Sequence, residues 1–97
     1  MLFAILCEDK PDAPALRRSV RARHLDYLRS RIDRLVEVGP LLDAQGSPCG
    51  SLLVVEVADR AAAEAFAAAD PYAEAGVFAR TTIHGYRSVF KAGAEAG

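Results

Sequence analysis

LVEVGPLLDAQGSPCGSLLVVEV, running from Leu35 to Val57, is the stretch on which the fold turns. Its first part, Leu35 to Leu42, mixes β-branched and apolar residues around Gly39-Pro40. It reads as a strand interrupted or bulged at the Gly-Pro pair, because proline cannot donate to a strand ladder. Asp43-Ala44-Gln45-Gly46-Ser47-Pro48 is turn chemistry. Ser51 to Val57 is the clearest strand of the chain, with Leu52, Leu53, Val54, Val55 and Val57. Two strands joined by a short polar turn read as an antiparallel hairpin.

The hairpin is flanked by matching halves. On its N-terminal side, Ala15 to about Ile32 is helical. At the helical period Leu16, Val20, Leu25, Tyr27, Leu28 and Ile32 share one half of the wheel. Before the helix, Lys10-Pro11-Asp12-Ala13-Pro14 breaks the chain, with Asp12 or a neighbour as the expected cap. Leu2 to Cys7 is a nearly continuous apolar run, as a buried strand should be. On the C-terminal side, Asp59 reads as the cap of an alanine-rich helix, Ala61 to Ala69, which Asp70-Pro71 ends. Pro71 to Val77 can add one helical turn closed by Gly76. Phe78 to Tyr86 is the last strand, with Arg87 to Lys91 as an extension. The order is β-α-β-β-α-β, an α+β, ferredoxin-like arrangement: a four-stranded antiparallel sheet with two helices on one face. Residues 1–91 make the domain and 92–97 a flexible C-terminal tail. Leu52 to Val55 is apolar at consecutive positions, so both faces of that strand need cover. A second copy of the chain is the expected cover, giving a homodimer.

Composition narrows the function. The chain has 97 residues and a formal net charge of −1, which suits one domain and points to neither a nucleic-acid partner nor an acidic tail. No apolar run is long enough to span a membrane. Met1 to Cys7 is short, lacks a basic flank and meets Glu8 and Asp9, which argues against a signal peptide. Cys7 and Cys49, the two cysteines, are expected as free thiols in a cytoplasmic, reducing setting, with Cys49 in an exposed loop.

His24 is the most informative residue. It lies in the apolar half of the first helix, together with Arg17 and Arg21. One reading is a core histidine satisfied by a backbone carbonyl, or a partly exposed rim residue, with arginines that snorkel to solvent at the helix edge or pair with Glu and Asp on the sheet. The other is a general acid/base beside a cationic wall that favours an anionic or phenolate-like ligand. Asp70 caps the turn that begins at Pro71, and the same carboxylate can orient His24. Tyr72 can line the same pocket. Metal-binding, phosphate-loop and serine-elbow motifs are absent, so neither a metal nor a cofactor is expected. Ser19, Ser47, Ser51 and Ser88 have no adjacent base, and the sheet lacks the paired aromatics that stack RNA bases.

These residues resemble a known family. Arg21-Ala22-Arg23-His24-Leu25-Asp26-Tyr27-Leu28 is similar to the Arg-x-x-His-Leu-x-x-Leu motif of YCII-related proteins. Ala68-Ala69-Asp70-Pro71-Tyr72-Ala73-Glu74-Ala75-Gly76-Val77-Phe78 resembles their most distinctive block. The likeness runs from about Leu2 to Phe90. It implies a dimeric α/β-barrel type of ferredoxin-like fold, usually a dimer, with His24 and Asp70 as the active-site pair. One enzyme of that family removes chloride from a chlorinated hydroxyhydroquinone. The leading expectation is therefore a small enzyme using a His-Asp pair for cofactor-free, lyase- or dehydrochlorinase-like chemistry on a small aromatic or anionic compound. The alternative is a non-catalytic ligand-binding or accessory dimerisation domain.

Overall fold

Alternation along the first strand places the core. In the computed structural model, which describes residues 1–97, β1 (Leu2–Asp9) buries Phe3, Ile5 and Cys7 and leaves Leu2, Ala4 and Leu6 on the opposite face. β1 pairs antiparallel with β3 (Pro48–Glu56) on one side and β4 (Phe78–Tyr86) on the other. β2 (Leu35–Leu42) pairs with β3, so the sheet order is β2-β3-β1-β4. Leu53 and Val55 of β3 join the β1 residues on the covered face. Helix α1 (Ala13–Arg29) and helix α2 (Arg60–Ala68) both pack there, through Leu28 and through Ala63 and Phe66. The Tyr27 hydroxyl donates to the Phe66 carbonyl at 2.7 Å and ties the two helices together. The result is the expected α+β, ferredoxin-like fold.

Several local expectations change. Asp12 makes no capping hydrogen bond, and α1 starts instead with Pro14 in its first turn, where a missing N–H is harmless. The helix ends at Arg29. The Ser30 hydroxyl donates to the Tyr27 carbonyl at 2.6 Å and satisfies one of the helix-end acceptors. Ile32 then opens a short 3-10 turn, Ile32–Arg34, and is 69% exposed rather than part of the helix's apolar stripe. β2 runs unbroken through Gly39-Pro40, and its register shifts lie near its two ends. Proline is tolerated because β2 is an edge strand. Cys49 is exposed as expected, but it lies in β3 rather than in a loop.

The largest departure is at the C-terminus. Arg87 to Lys91 does not extend β4, and residues 92–97 do not trail away as a simple tail. Phe90–Lys91 (β5) pairs with Ala94–Glu95 (β6) in a small separate hairpin, turned by Ala92 and Gly93 at positive φ. Phe90, Ala92 and Ala96 line a shallow cleft with Leu2, Val54 and Tyr86. The hairpin therefore covers one end of the sheet face that the helices leave open.

The two thiols differ in environment. Cys7 is buried, and burial is the main cause that pushes its pKa from 9.0 up to about 11. The folded state then holds a proton that the unfolded chain has released. That contribution is complete below pH 9.0, the unfolded value, and is lost as pH rises through about 11. Two results are expected. A thiol reagent should modify Cys49 rapidly in the native protein and Cys7 only on unfolding. Urea-unfolding stability should fall over that alkaline range, less steeply in Cys7→Ala. Equal reactivity of the two thiols in the native protein would contradict this.

Candidate active site

Helix α3 (Pro71–Glu74) is short, and its two ends are well specified. Asp70 is its N-cap, with the side chain accepting from the Tyr72 N–H at 2.9 Å. Gly76, at φ 82, closes it: the Gly76 N–H donates to the Ala73 carbonyl and the Val77 N–H to the Tyr72 carbonyl. This is the paired pattern of a glycine-terminated helix. These bonds hold Asp70 and Tyr72 in place. Helix α3 packs on α1, with Tyr72 and Val77 against Ala13 and Val20.

That packing brings two distant sequence blocks together. His24 Nδ1 lies 2.8 Å from Asp70 Oδ1, and the residues are 7% and 1% exposed. A carboxylate oxygen accepts, so Nδ1 is the donor and Nε2 is the ring nitrogen left without a protein partner. Asp70 Oδ2 is buried and has no hydrogen-bond partner. The Tyr72 ring stacks on the imidazole, with centroids 3.9 Å apart and planes 13° from parallel. Burial raises the Tyr72 pKa, against the opposing pull of the Arg17 and Arg21 charges, so its phenol stays protonated at neutral pH.

Arg17 is built into the fold. Its Nε donates to Asp9 Oδ2 at 2.7 Å and its Nη2 to Asp9 Oδ1 at 3.2 Å. Nη2 also reaches the Gly50 carbonyl at 2.6 Å and the Ser51 hydroxyl at 2.7 Å. The guanidinium carbon sits 4.7 Å from the centre of the Tyr72 ring. Burial alone would lower the Arg17 pKa, but Asp9 and, to a lesser extent, Tyr72 together outweigh it and the net shift is upward. Gly50 is required here, because a Cβ at that position would collide with the Cys7 carbonyl of the neighbouring strand.

Between α1 and the edge hairpin lies a cavity of about 560 Å³. Arg17, Arg18, Arg21 and His24 line it from α1, with Leu25 and Leu28. Val38, Gly39, Pro40, Ser47, Pro48 and Ser51 form the hairpin wall, and Tyr72 comes from α3. The structure thus gathers His24, Arg17, Arg21 and Tyr72 on one cavity, with Asp70 directly behind His24. Three participants escaped the sequence reading. Arg18 falls in the polar half of the wheel, yet lies only about 60° round the helix from Arg21, and its long side chain reaches the cavity edge. Asp9 and Ser51 had no local signal, because their partner, Arg17, is brought to them by the tertiary fold. No group of three His, Cys, Asp or Glu side chains is placed to hold a metal ion.

Fold and site together define a ferredoxin-like domain with a buried His-Asp pair at the base of an arginine-lined cavity. The YCII-related domain model matches residues 1–87, and the chain belongs to that family. It is 35% identical over 98 residues to Protein YciI of Escherichia coli, a match covering 93% of this chain and 100% of that one. An uncharacterized protein of Haemophilus influenzae is 32% identical over the same coverage. Among solved structures, 5-chloro-2-hydroxyhydroquinone dehydrochlorinase (TftG) from Burkholderia phenoliruptrix, in complex with 2,5-dihydroxybenzoquinone, superposes with a TM-score of 0.84. That pair is 30% identical, covering 90% of this chain and 94% of the other.

Proposed function

We propose that this protein is a small, cofactor-free lyase acting on hydroxylated aromatic compounds, with His24 as its acid/base and Asp70 as the residue that positions it. The observation that carries this reading is the buried Nδ1–Oδ1 contact of 2.8 Å, which leaves Nε2 free on a residue lining the cavity. The dehydrochlorinase neighbour supports the reaction class. Loss of HCl from a chlorinated hydroquinone balances without outside electrons. A proton adds to the chlorine-bearing carbon as the adjacent hydroxyl releases its own to solvent, giving the keto tautomer. Chloride then leaves as the remaining hydroxyl gives up its proton, and the ring becomes a quinone. One imidazole can deliver the first proton and recover the second. Arg21 is the unpaired cation beside the ligand, Arg17 lines the same wall in its ion pair with Asp9, and Tyr72 offers an aromatic surface. No helix is long and apolar enough to cross a membrane, and two unpaired thiols suit the cytoplasm. The test is chloride release from chlorinated hydroquinones by the purified protein. Binding of such compounds with no turnover would favour the ligand-binding alternative.

The working unit in this proposal is a homodimer. Leu2, Ala4, Leu6, Leu52 and Val54 form an apolar centre on the face away from the helices. The C-terminal hairpin covers only one end of it, and a domain of this size gains much from further burial. Sedimentation at micromolar concentration should give a dimer mass, and Leu52→Lys should give a monomer. A monomeric native protein would contradict the proposal.

A further inference from the structure

We infer that Arg18 and Arg21 form a seat for a carboxylate, so that the substrate is an aromatic acid rather than a neutral phenol. This deepens the functional reading above and rests on its premise that the cavity is the substrate site.

The cavity lining contains three arginines and no aspartate or glutamate. The three are not equivalent. Arg17 is neutralised by Asp9, with side chains only 10% and 5% exposed, and it holds Gly50 and Ser51 as well. Arg18 and Arg21 make no ion pair and no side-chain hydrogen bond anywhere in the protein, although the chain carries more acidic than basic residues. They are thus two uncompensated charges at the mouth of a cavity whose remaining wall is largely apolar. Three residues apart on α1, they are neighbours on the helix surface. Two guanidinium groups so placed match the two oxygens of a planar carboxylate, with several N–H donors each. A neutral phenol offers them no negative charge to pair with. Arg21 and Arg18 lie about 4.5 and 9 Å along the helix axis from His24. An acid held there would point its ring toward the imidazole, with Leu25 beside it and Leu28 further along the same wall. The cavity volume of about 560 Å³ is ample for one substituted ring.

The test compares p-hydroxybenzoate with its neutral isostere p-hydroxybenzamide, by NMR titration of the full chain. The acid should bind about tenfold more tightly than the amide, as a charge-assisted contact at a partly exposed site allows. The preference should shrink as salt is raised. It should vanish in the double variant Arg18→Gln/Arg21→Gln. It should persist in Arg23→Gln/Arg87→Gln, which removes the same charge from two exposed positions outside the cavity. The inference is overturned by equal affinities in the native protein or by no binding of the acid at millimolar concentration. It is also overturned by a preference that survives the first double variant or is lost equally in the second. Because the readout is binding, it is separable from turnover. An inactive protein that prefers the acid sinks the enzyme reading alone, and an active one with no preference sinks the carboxylate seat alone.

Discussion

Glutamine in place of His24 is expected to lower turnover of a chlorinated hydroquinone by about 10²- to 10⁴-fold, the usual contribution of a positioned acid/base. Glutamine can still offer a side-chain donor to Asp70, and it exposes no new apolar surface, so the fold should survive. Asp70→Ala should behave differently. Asp70 Oδ1 both caps α3 and accepts from the imidazole. Its removal costs about 1 kcal/mol for the cap and about 1–3 kcal/mol for the buried imidazole N–H left unpaired. Asp70→Ala should therefore lose activity and stability together, whereas His24→Gln loses activity alone. Chloride release and urea unfolding on the same preparations separate the two. Full activity in His24→Gln would falsify the catalytic assignment.

The second large effect is on stability. Arg17→Met should destabilise the protein by about 3–5 kcal/mol, because it leaves a buried carboxylate without its cation. The side chain of Asp9 is 5% exposed, and Arg17 supplies both of its side-chain hydrogen bonds. The Gly50 carbonyl and the Ser51 hydroxyl lose the same donor. In a small domain of ordinary stability such a loss is a large fraction of the total. Adding Asp9→Leu to Arg17→Met should recover part of it, since an apolar pair can replace a buried ion pair. A loss below about 1 kcal/mol in the single variant would place this pair with ordinary surface ion pairs.

The contrast between Arg17 and Arg21 shows where sequence reasoning stops. Both fall on the same half of the α1 wheel as His24, and both read equally well as wall of a cationic pocket. In the fold, Arg17 is consumed by Asp9 and β3, while Arg21 stays unpaired at the cavity mouth. The wheel reports the direction of a side chain but not what the sheet presents to it. Likewise Gly39-Pro40 signals a break in any strand, and only the placement of β2 at the sheet edge removes the conflict.

What the sequence by itself determined is whatever depends on short-range pattern. The apolar run Leu2 to Cys7 marked a buried strand, though not which of its faces the helices cover. Residue type and position made Asp59 and Asp70 helix caps, and the hairpin between two helices set the strand order in the chain. His24 and Asp70 could be singled out for the same reason, since an ionisable ring on an apolar face and an Asp-Pro cap are local signals. Only the tertiary structure decided that 2.8 Å separates them, that Arg18 joins the cavity, and that the C-terminal residues fold over the open sheet face. The first two depend on how α1, α3 and the edge hairpin pack together, and the third on packing against the opposite face of the sheet. Long-range packing of that kind is fixed by the burial of many side chains at once, and no single segment carries a signature of it.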